Sequence, residues 1–276
     1  MTEARAPRNS LSAMLRIDDH GGGAYGATLE SFWGGAAPGD LLARATLAAT
    51  AGRRDNPTAL HAALLRKARP DVEISLATED LAADRRRVRA HQKGDLLCDV
   101  VFRFGPDGAG LTYQCVAPEP GLAAPEELPS EAELGAIEGW AAYAVGPVES
   151  RRVGERAQAT GADPAVWLGW LRPREALPND ARLHAAAVVF LSEYRSHWAV
   201  ERRLGADFPH TDITVLDHAL WVHRAEPWDD FWLVKTWTDV GVKGRCFSRR
   251  EIYNRGGALL ASAAWEASLR QPGASA

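Results

Sequence analysis

The chain has 276 residues, 46% apolar and 25% charged, a composition that fits one large or two smaller folded units and excludes disordered or collagen-like sequence. Its net charge of -4, from 32 Lys and Arg against 36 Asp and Glu, removes the global electrostatic case for nucleic-acid binding. Cys98, Cys115 and Cys246 are too scattered for a disulfide framework or a C-x-x-C zinc site, which suits a reducing cytoplasm.

From the N-terminus, Met1 to Asp18 carries Glu3, Arg5, Arg8 and Arg16 and lacks the apolar core of a secretory signal. Gly21-x-Gly23-x-x-Gly26 matches a dinucleotide fingerprint literally, but no amphipathic helix opens after it, so a loop is expected. Ala37 to Ala51 places Leu41, Leu42, Ala45 and Ala48 at helical spacing, with Pro38 suited to the first turn. Val72 to Thr78 and Arg87 to His91 alternate with the period of strands, and Lys93-Gly94-Asp95 supplies a hairpin turn before Leu96 to Phe104. Val116 to Ser130, with four prolines, reads as a linker.

Beyond it, Pro178-Asn179-Asp180 offers start and cap chemistry for a helix running to about Val200. The longest apolar run, Ala185 to Leu191, falls far short of the ~20 residues that cross a bilayer, so no membrane insertion is expected. A second hairpin joins Arg249 to Tyr253 with Ala258 to Trp265 through Asn254-Arg255-Gly256-Gly257. Leu60 to Leu64 resembles Asp217 to Trp221, and the hairpins recur at a comparable offset, so the halves look like divergent copies of one helix-plus-strands unit, an α+β pattern. The copies are placed at 1–115 and 136–276, with 116–135 between them. Nine of the ten tryptophans, all but Trp33, lie from Trp140 onward, which marks the second copy as specialised.

The segment from Val215 to Arg224, with Asp217-His218, Trp221 and His223-Arg224, followed by Ala261-Ser262 and Glu266, resembles the C-terminal half of bacterial acyl-CoA thioesterase II, the TesB type. Gly34-Gly35 with Gly39, Leu65-Arg66, and Val166-Trp167 leading to Pro178, Asp180, Arg182 and His184 extend the likeness. The resemblance implies a double hotdog, two antiparallel sheets each wrapped around a long central helix. It also implies hydrolysis of acyl-CoA to free acid and CoA, a place in lipid metabolism, and no metal or other cofactor. In that family an Asp, a Thr or Ser, and a Gln order the attacking water. The matching positions here are Glu193, Val215 and Trp265, with Thr214 one step from Val215 on the opposite strand face.

Glu193 projects within about 60° of Ala186 and Phe190 on a helix, so it borders the buried stripe, where a carboxylate gains the raised pKa of a general base. The structural alternative pairs it with His197 at i+4, Arg195 or Arg182. Gly34 and Gly35, before the first helix, are the candidate source of backbone N–H groups for a thioester carbonyl, or else only a tight turn. Asp40 in that helix is a second candidate carboxylate, or a complement to the helix dipole. Trp265 either plugs the Gln position or walls an acyl chain. Asp217 and His218 face opposite sides of a strand and are expected to mark the fold. Arg85, Arg86, Arg87 and Arg89 are CoA-phosphate candidates or a solvated strand edge.

The expected function is therefore an acyl-CoA thioesterase with Glu193 and Thr214 catalytic and Gly34, Gly35 and Trp265 touching substrate. The alternative is a non-catalytic acyl-CoA or fatty-acid binding protein of the same fold, and a hydratase using His197 with Glu193 ranks behind both. Assembly of like chains through exposed sheet edges is also expected.

Overall fold

The computed structural model describes residues 10–29, 36–105, 110–138, 146–154 and 165–271. A short helix α1 (Leu11–Met14) starts on Ser10, whose hydroxyl accepts the Ala13 N–H. β1 (Asp18–Gly21) and β2 (Ala24–Thr28) form a hairpin through Gly21, Gly22 and Gly23, all at positive φ, so the glycine-rich motif closes a turn. Helix α2 (Pro38–Thr50) begins on its proline and is buried almost all round. β3 (Pro57–Leu64), β4 (Glu73–Ala82), β5 (Arg85–Gln92) and β6 (Asp95–Phe104) follow. The turn between β5 and β6 holds Lys93 and Gly94 at φ 52° and 87°, the two positive values a tight hairpin requires.

The proline-rich segment is pinned to the fold: the Trp170 indole donates to the Ala123 carbonyl, and Leu122 and Leu128 pack on a small cluster of Trp170, Phe231, Leu233 and Tyr253. α3 (Glu131–Glu138), β7 (Val148–Arg152) and β8 (Ala165–Pro173) lead to α4 (Ala181–Glu193), capped by Asp180. Then come α5 (Trp198–Leu204), β9 (Asp212–Val215), β10 (Asp217–Val222), β11 (Trp232–Val242), β12 (Arg245–Tyr253) and β13 (Leu259–Arg270).

Two expectations are corrected here. The helix expected to reach Val200 ends at Glu193; Tyr194 leaves helical geometry and Arg195 sits at φ 52°, so α5 is a separate element. The i+4 relation between Glu193 and His197 therefore does not exist. The two expected sheets are one: the described strands make a single antiparallel sheet in the order β1-β2-β4-β5-β6-β3-β10-β13-β12-β11-β8-β7, with β9 beside β13.

The seam is β3 against β10. Its register pairs His61 with Ala219 and Ala62 with His218, so the two segments alike in sequence meet about a local two-fold. Above the sheet α2 and α4 pack together, α2 also lying on β2 to β6 and α4 on β13. Fully buried Ala43, Ala45, Ala48 and Ala49 on α2 and Ala186 and Ala187 on α4 let two helices share that space. Tryptophans fill the second half, with Trp167 on Trp198 at 4.2 Å and Trp228 on Trp232 at 5.6 Å between ring centres.

Candidate active site

The helix pair runs so that the start of α2 meets the end of α4, and there the chain opens a cavity of about 420 Å³. Ala37 lines it just before α2, Pro38 and Leu41 from α2, Phe190 and Glu193 from α4, and Tyr194 to His197 from the turn that follows. The segment 64–68 after β3, strand β9, and Ser268 and Arg270 of β13 complete it. The inner wall is buried and mostly apolar, whereas Arg66, Lys67 and Arg270 stand exposed at the outer rim. Arg66 lies 3.7 Å from Asp95 and Lys67 2.5 Å from Asp212.

Glu193 is the last residue of α4 and is 6% exposed. Its Oε2 accepts the Gly39 N–H at 2.9 Å and its Oε1 accepts the Ser196 hydroxyl at 2.7 Å. Burial raises its pKa, while the Ser196 and Gly39 hydrogen bonds and the charge of Arg250 pull it back. The carboxylate is thus held by one helix N-terminus and one hydroxyl, in a cavity wide enough for a reacting group. His197, also on the cavity wall, is pushed down to about 4 by burial and by Arg195 and Arg250, so it is a neutral imidazole at neutral pH.

Thr214 borders the same cavity and pairs across the strands with Ser268, both on the face opposite Val215 and Ala267. Ser268 escaped sequence reasoning because no motif marks it; only the β9–β13 register brings its hydroxyl beside Thr214. Gly39 and Ser196 were missed as partners of Glu193 for the same reason, since backbone N–H groups carry no sequence signature.

Gly34 and Gly35 lie outside the described residues. Trp265 is 2% exposed and is not among the described residues lining the cavity; its ring stacks on His218 at 5.8 Å with the Arg250 guanidinium over it at 5.7 Å. That places it in the packed interior, away from the described cavity lining. His218 Nε2 meets the Ser192 hydroxyl at 2.9 Å, and exposed Asp217 accepts the Glu266 N–H at 2.9 Å, so this pair braces the fold from two faces. Asp40 binds Arg44 at 2.9 Å inside α2, and Arg44 also donates to the Arg16 and Met14 carbonyls, a tether for the N-terminal segment.

The arginine-rich strand is matched by acids: Arg86 with Asp80 at 2.7 Å, and Arg87 and Arg89 each 3.2 Å from Asp99 and Glu79 respectively. Cys98 is buried with its thiol pushed up to about 12, and burial also raises Cys246, so neither is a poised nucleophile. Among the described residues no cluster of His, Cys, Asp and Glu could hold a metal ion.

The fold is that of the hotdog proteins. Its overall path follows acyl-CoA thioesterase II TesB2 from Mycobacterium marinum at TM-score 0.79 and 22% identity, covering 96% of this chain and 99% of that one. The tesB protein of Mycobacterium avium subs paratuberculosis superposes at 0.75 and 19%, over 94% and 98% of the two chains. A hot dog fold protein of Alicyclobacillus acidocaldarius follows at 0.74 and 14%, over 95% and 98%. A search of curated proteins finds no match. The model of the acyl-CoA thioesterase C-terminal domain matches residues 123–268, more than half of the chain, and the protein belongs to the acyl-CoA thioesterase family. That membership makes it a thioester hydrolase acting on acyl-CoA.

Proposed function

We propose that hydrolysis takes place in the cavity between the start of α2 and the end of α4, with Glu193 as general base. The observation that carries this reading is a buried carboxylate whose pKa is raised by burial, opening into a cavity with an apolar interior and a basic rim. The ionised Glu193 takes a proton from water as the oxygen attacks the thioester carbonyl carbon. The tetrahedral intermediate collapses by breaking the C–S bond, and the departing CoA sulfur takes the proton back from Glu193, leaving acid and thiol. Thr214 and Ser268 offer hydroxyls that orient the water or the carbonyl. The acyl chain lies against Leu41 and Phe190, and the anionic CoA end lies at Arg66, Lys67 and Arg270.

The palindromic strand order and the two-fold seam at β3 and β10 support a double hotdog, with copies at 1–115 and 136–276 and α2 and α4 as their central helices. Among the described residues Glu193 is the one carboxylate on the cavity wall, which supports one working site per pair of copies. Three free cysteines suit a cytoplasmic setting, and the open edges at β1 and β7 suit pairing with a second chain. No described helix is long and apolar enough to cross a membrane.

Thiol release from a series of acyl-CoA substrates tests the assignment. Glu193→Gln is expected to lower kcat by about 100-fold or more, within the range for losing a general base, while acyl-CoA binding persists. Turnover at the wild-type rate in that variant sinks the site.

A further inference from the structure

We propose that Arg250 is a positioning residue for Glu193: it clamps the end of α4 so that the carboxylate faces the cavity, and it supplies that carboxylate's buried counter-charge. The inference rests on Glu193 as the base. Arg250 stands in the inward row of β12, between Ser248 and Ile252, where strand alternation calls for an apolar side chain, and it is 1% exposed. A guanidinium buried so deeply is costly unless its donors and its charge are both answered.

Its donors are answered by the end of the helix. Nη1 donates to the Leu191 carbonyl at 2.6 Å and to the Tyr194 carbonyl at 2.9 Å, and Nε donates to the buried Thr236 hydroxyl at 2.7 Å. Those two carbonyls bracket Glu193 in the chain. A helix of this kind leaves its last carbonyls without internal partners and carries partial negative charge there, so a cation fits. Holding both carbonyls fixes the point where the backbone departs at Tyr194 and Arg195, and that departure lets Ser196 fold back onto Glu193 Oε1.

All three hydrogen bonds go to neutral groups; Glu193 lies between the two carbonyls that Arg250 holds, and each charge favours the other's charged form, although burial outweighs this, raising the pKa of Glu193 and lowering that of Arg250 to about 10. The other charged or titratable groups around Glu193 come from each packed element. On α2, Asp40 is engaged by Arg44. On the following turn, Arg195 lies over Trp198 at 4.4 Å and His197 is neutral. On β10, His218 is pushed down to about 3 by burial and by Arg250. Arg66, Lys67 and Arg270 stand at the solvent rim, where water screens them. Arginine suits the post because one planar fork spans two carbonyls and a hydroxyl, which an ammonium cannot do in fixed geometry.

Two measurements on the full chain test this. In denaturant unfolding at neutral pH, Arg250→Met is expected to lower the midpoint much less in the Glu193→Gln background than in wild type, because a shared charge has already been removed. Additive effects overturn the counter-charge. In pH–rate profiles of thiol release, Arg250→Met is expected to move the acid limb up by about one pH unit, as loss of a neighbouring counter-charge does, and Arg250→Lys to leave it near the wild-type position at reduced kcat. A uniform fall in rate with an unmoved limb reduces Arg250 to a scaffold residue and overturns the proposal. If Arg250→Met does not fold, Thr236→Val, which removes only the Nε partner, is expected to give a smaller upward move, and an unmoved limb there also overturns it. The unfolding cycle uses no activity, so it judges the Arg250–Glu193 link even if Glu193→Gln retains turnover and the base assignment itself fails.

Discussion

At position 39 the absence of a side chain is what allows a carboxylate to sit in the core. A Cβ added there would lie 3.0 Å from Glu193 Oε2, 3.1 Å from the Phe190 carbonyl and 3.2 Å from Glu193 Cβ, so any side chain at this position must push the carboxylate or the end of α4 back by a few tenths of an ångström. Gly39→Ala is expected to displace the carboxylate and lower kcat by at least about tenfold, with a stability loss of about 1 kcal/mol from overpacking. Thiol-release kinetics beside urea unfolding separate the two, and an unchanged kcat would contradict the contact. The pH dependence follows from the same residue. Because burial raises the pKa of Glu193, the group is protonated and idle below that value and ionised above it, so kcat/KM rises with pH along one limb above the ordinary carboxylate range. His197 and His218 are shifted the other way, down to about 4 and about 3, so a limb raised above the glutamate value does not report them. A limb at the usual glutamate pKa would show that Glu193 is not the titrating base. Glu193 was singled out in the sequence by the family likeness together with its place beside an apolar helical stripe; its contacts with Gly39, Ser196 and Arg250 were not, because they depend on helix packing, a turn and a distant strand.

At the scale of elements, the turns were readable and one helix end was not. Lys93-Gly94 and Asn254 to Gly257 carry the residues that tight turns demand, and both hairpins form there. The run from Tyr194 to Val200 has neither glycine nor proline to stop a helix, and its break depends on Arg250 capturing two carbonyls from a distant strand. The contact between α2 and α4 rests on alanines with no exposed surface, which leaves no room for extra methylenes. Ala187→Leu is therefore expected to destabilise the fold by about 1–3 kcal/mol in urea unfolding. Because the start of α2 and the end of α4 both line the cavity, it should also lower kcat. Stability equal to wild type would show the interface to be looser than its burial indicates.

At the scale of the whole molecule, the described strands form one sheet in which the first half hydrogen-bonds the second along β3 and β10, and one core cluster draws on both halves. The halves should consequently unfold together. Far-UV circular dichroism follows both, while tryptophan fluorescence is weighted to the second half, where nine of ten tryptophans lie. Coincident denaturant curves from the two probes are expected, and separated midpoints would show that the halves are independent. Ala62→Pro, in β3 between β6 and β10, would remove a ladder donor from a central strand and is expected to abolish folded protein, not merely to loosen one half; a folded second half in its spectrum would count against the shared core.

By itself the sequence determined the helix-and-hairpin pattern, the turn positions, the family likeness and a carboxylate beside a buried helical stripe, because local periodicity and turn chemistry are written in neighbouring residues. The tertiary structure alone decided that the two halves share one sheet, that α4 stops at Glu193, that Trp265 is interior packing, that Gly39 and Ser196 reach Glu193 while Arg250 holds the end of α4, and that Ser268 joins the cavity wall. Those facts depend on which distant segments pair and in what register, and strand register and helix packing are fixed only when the whole chain has buried its apolar surface.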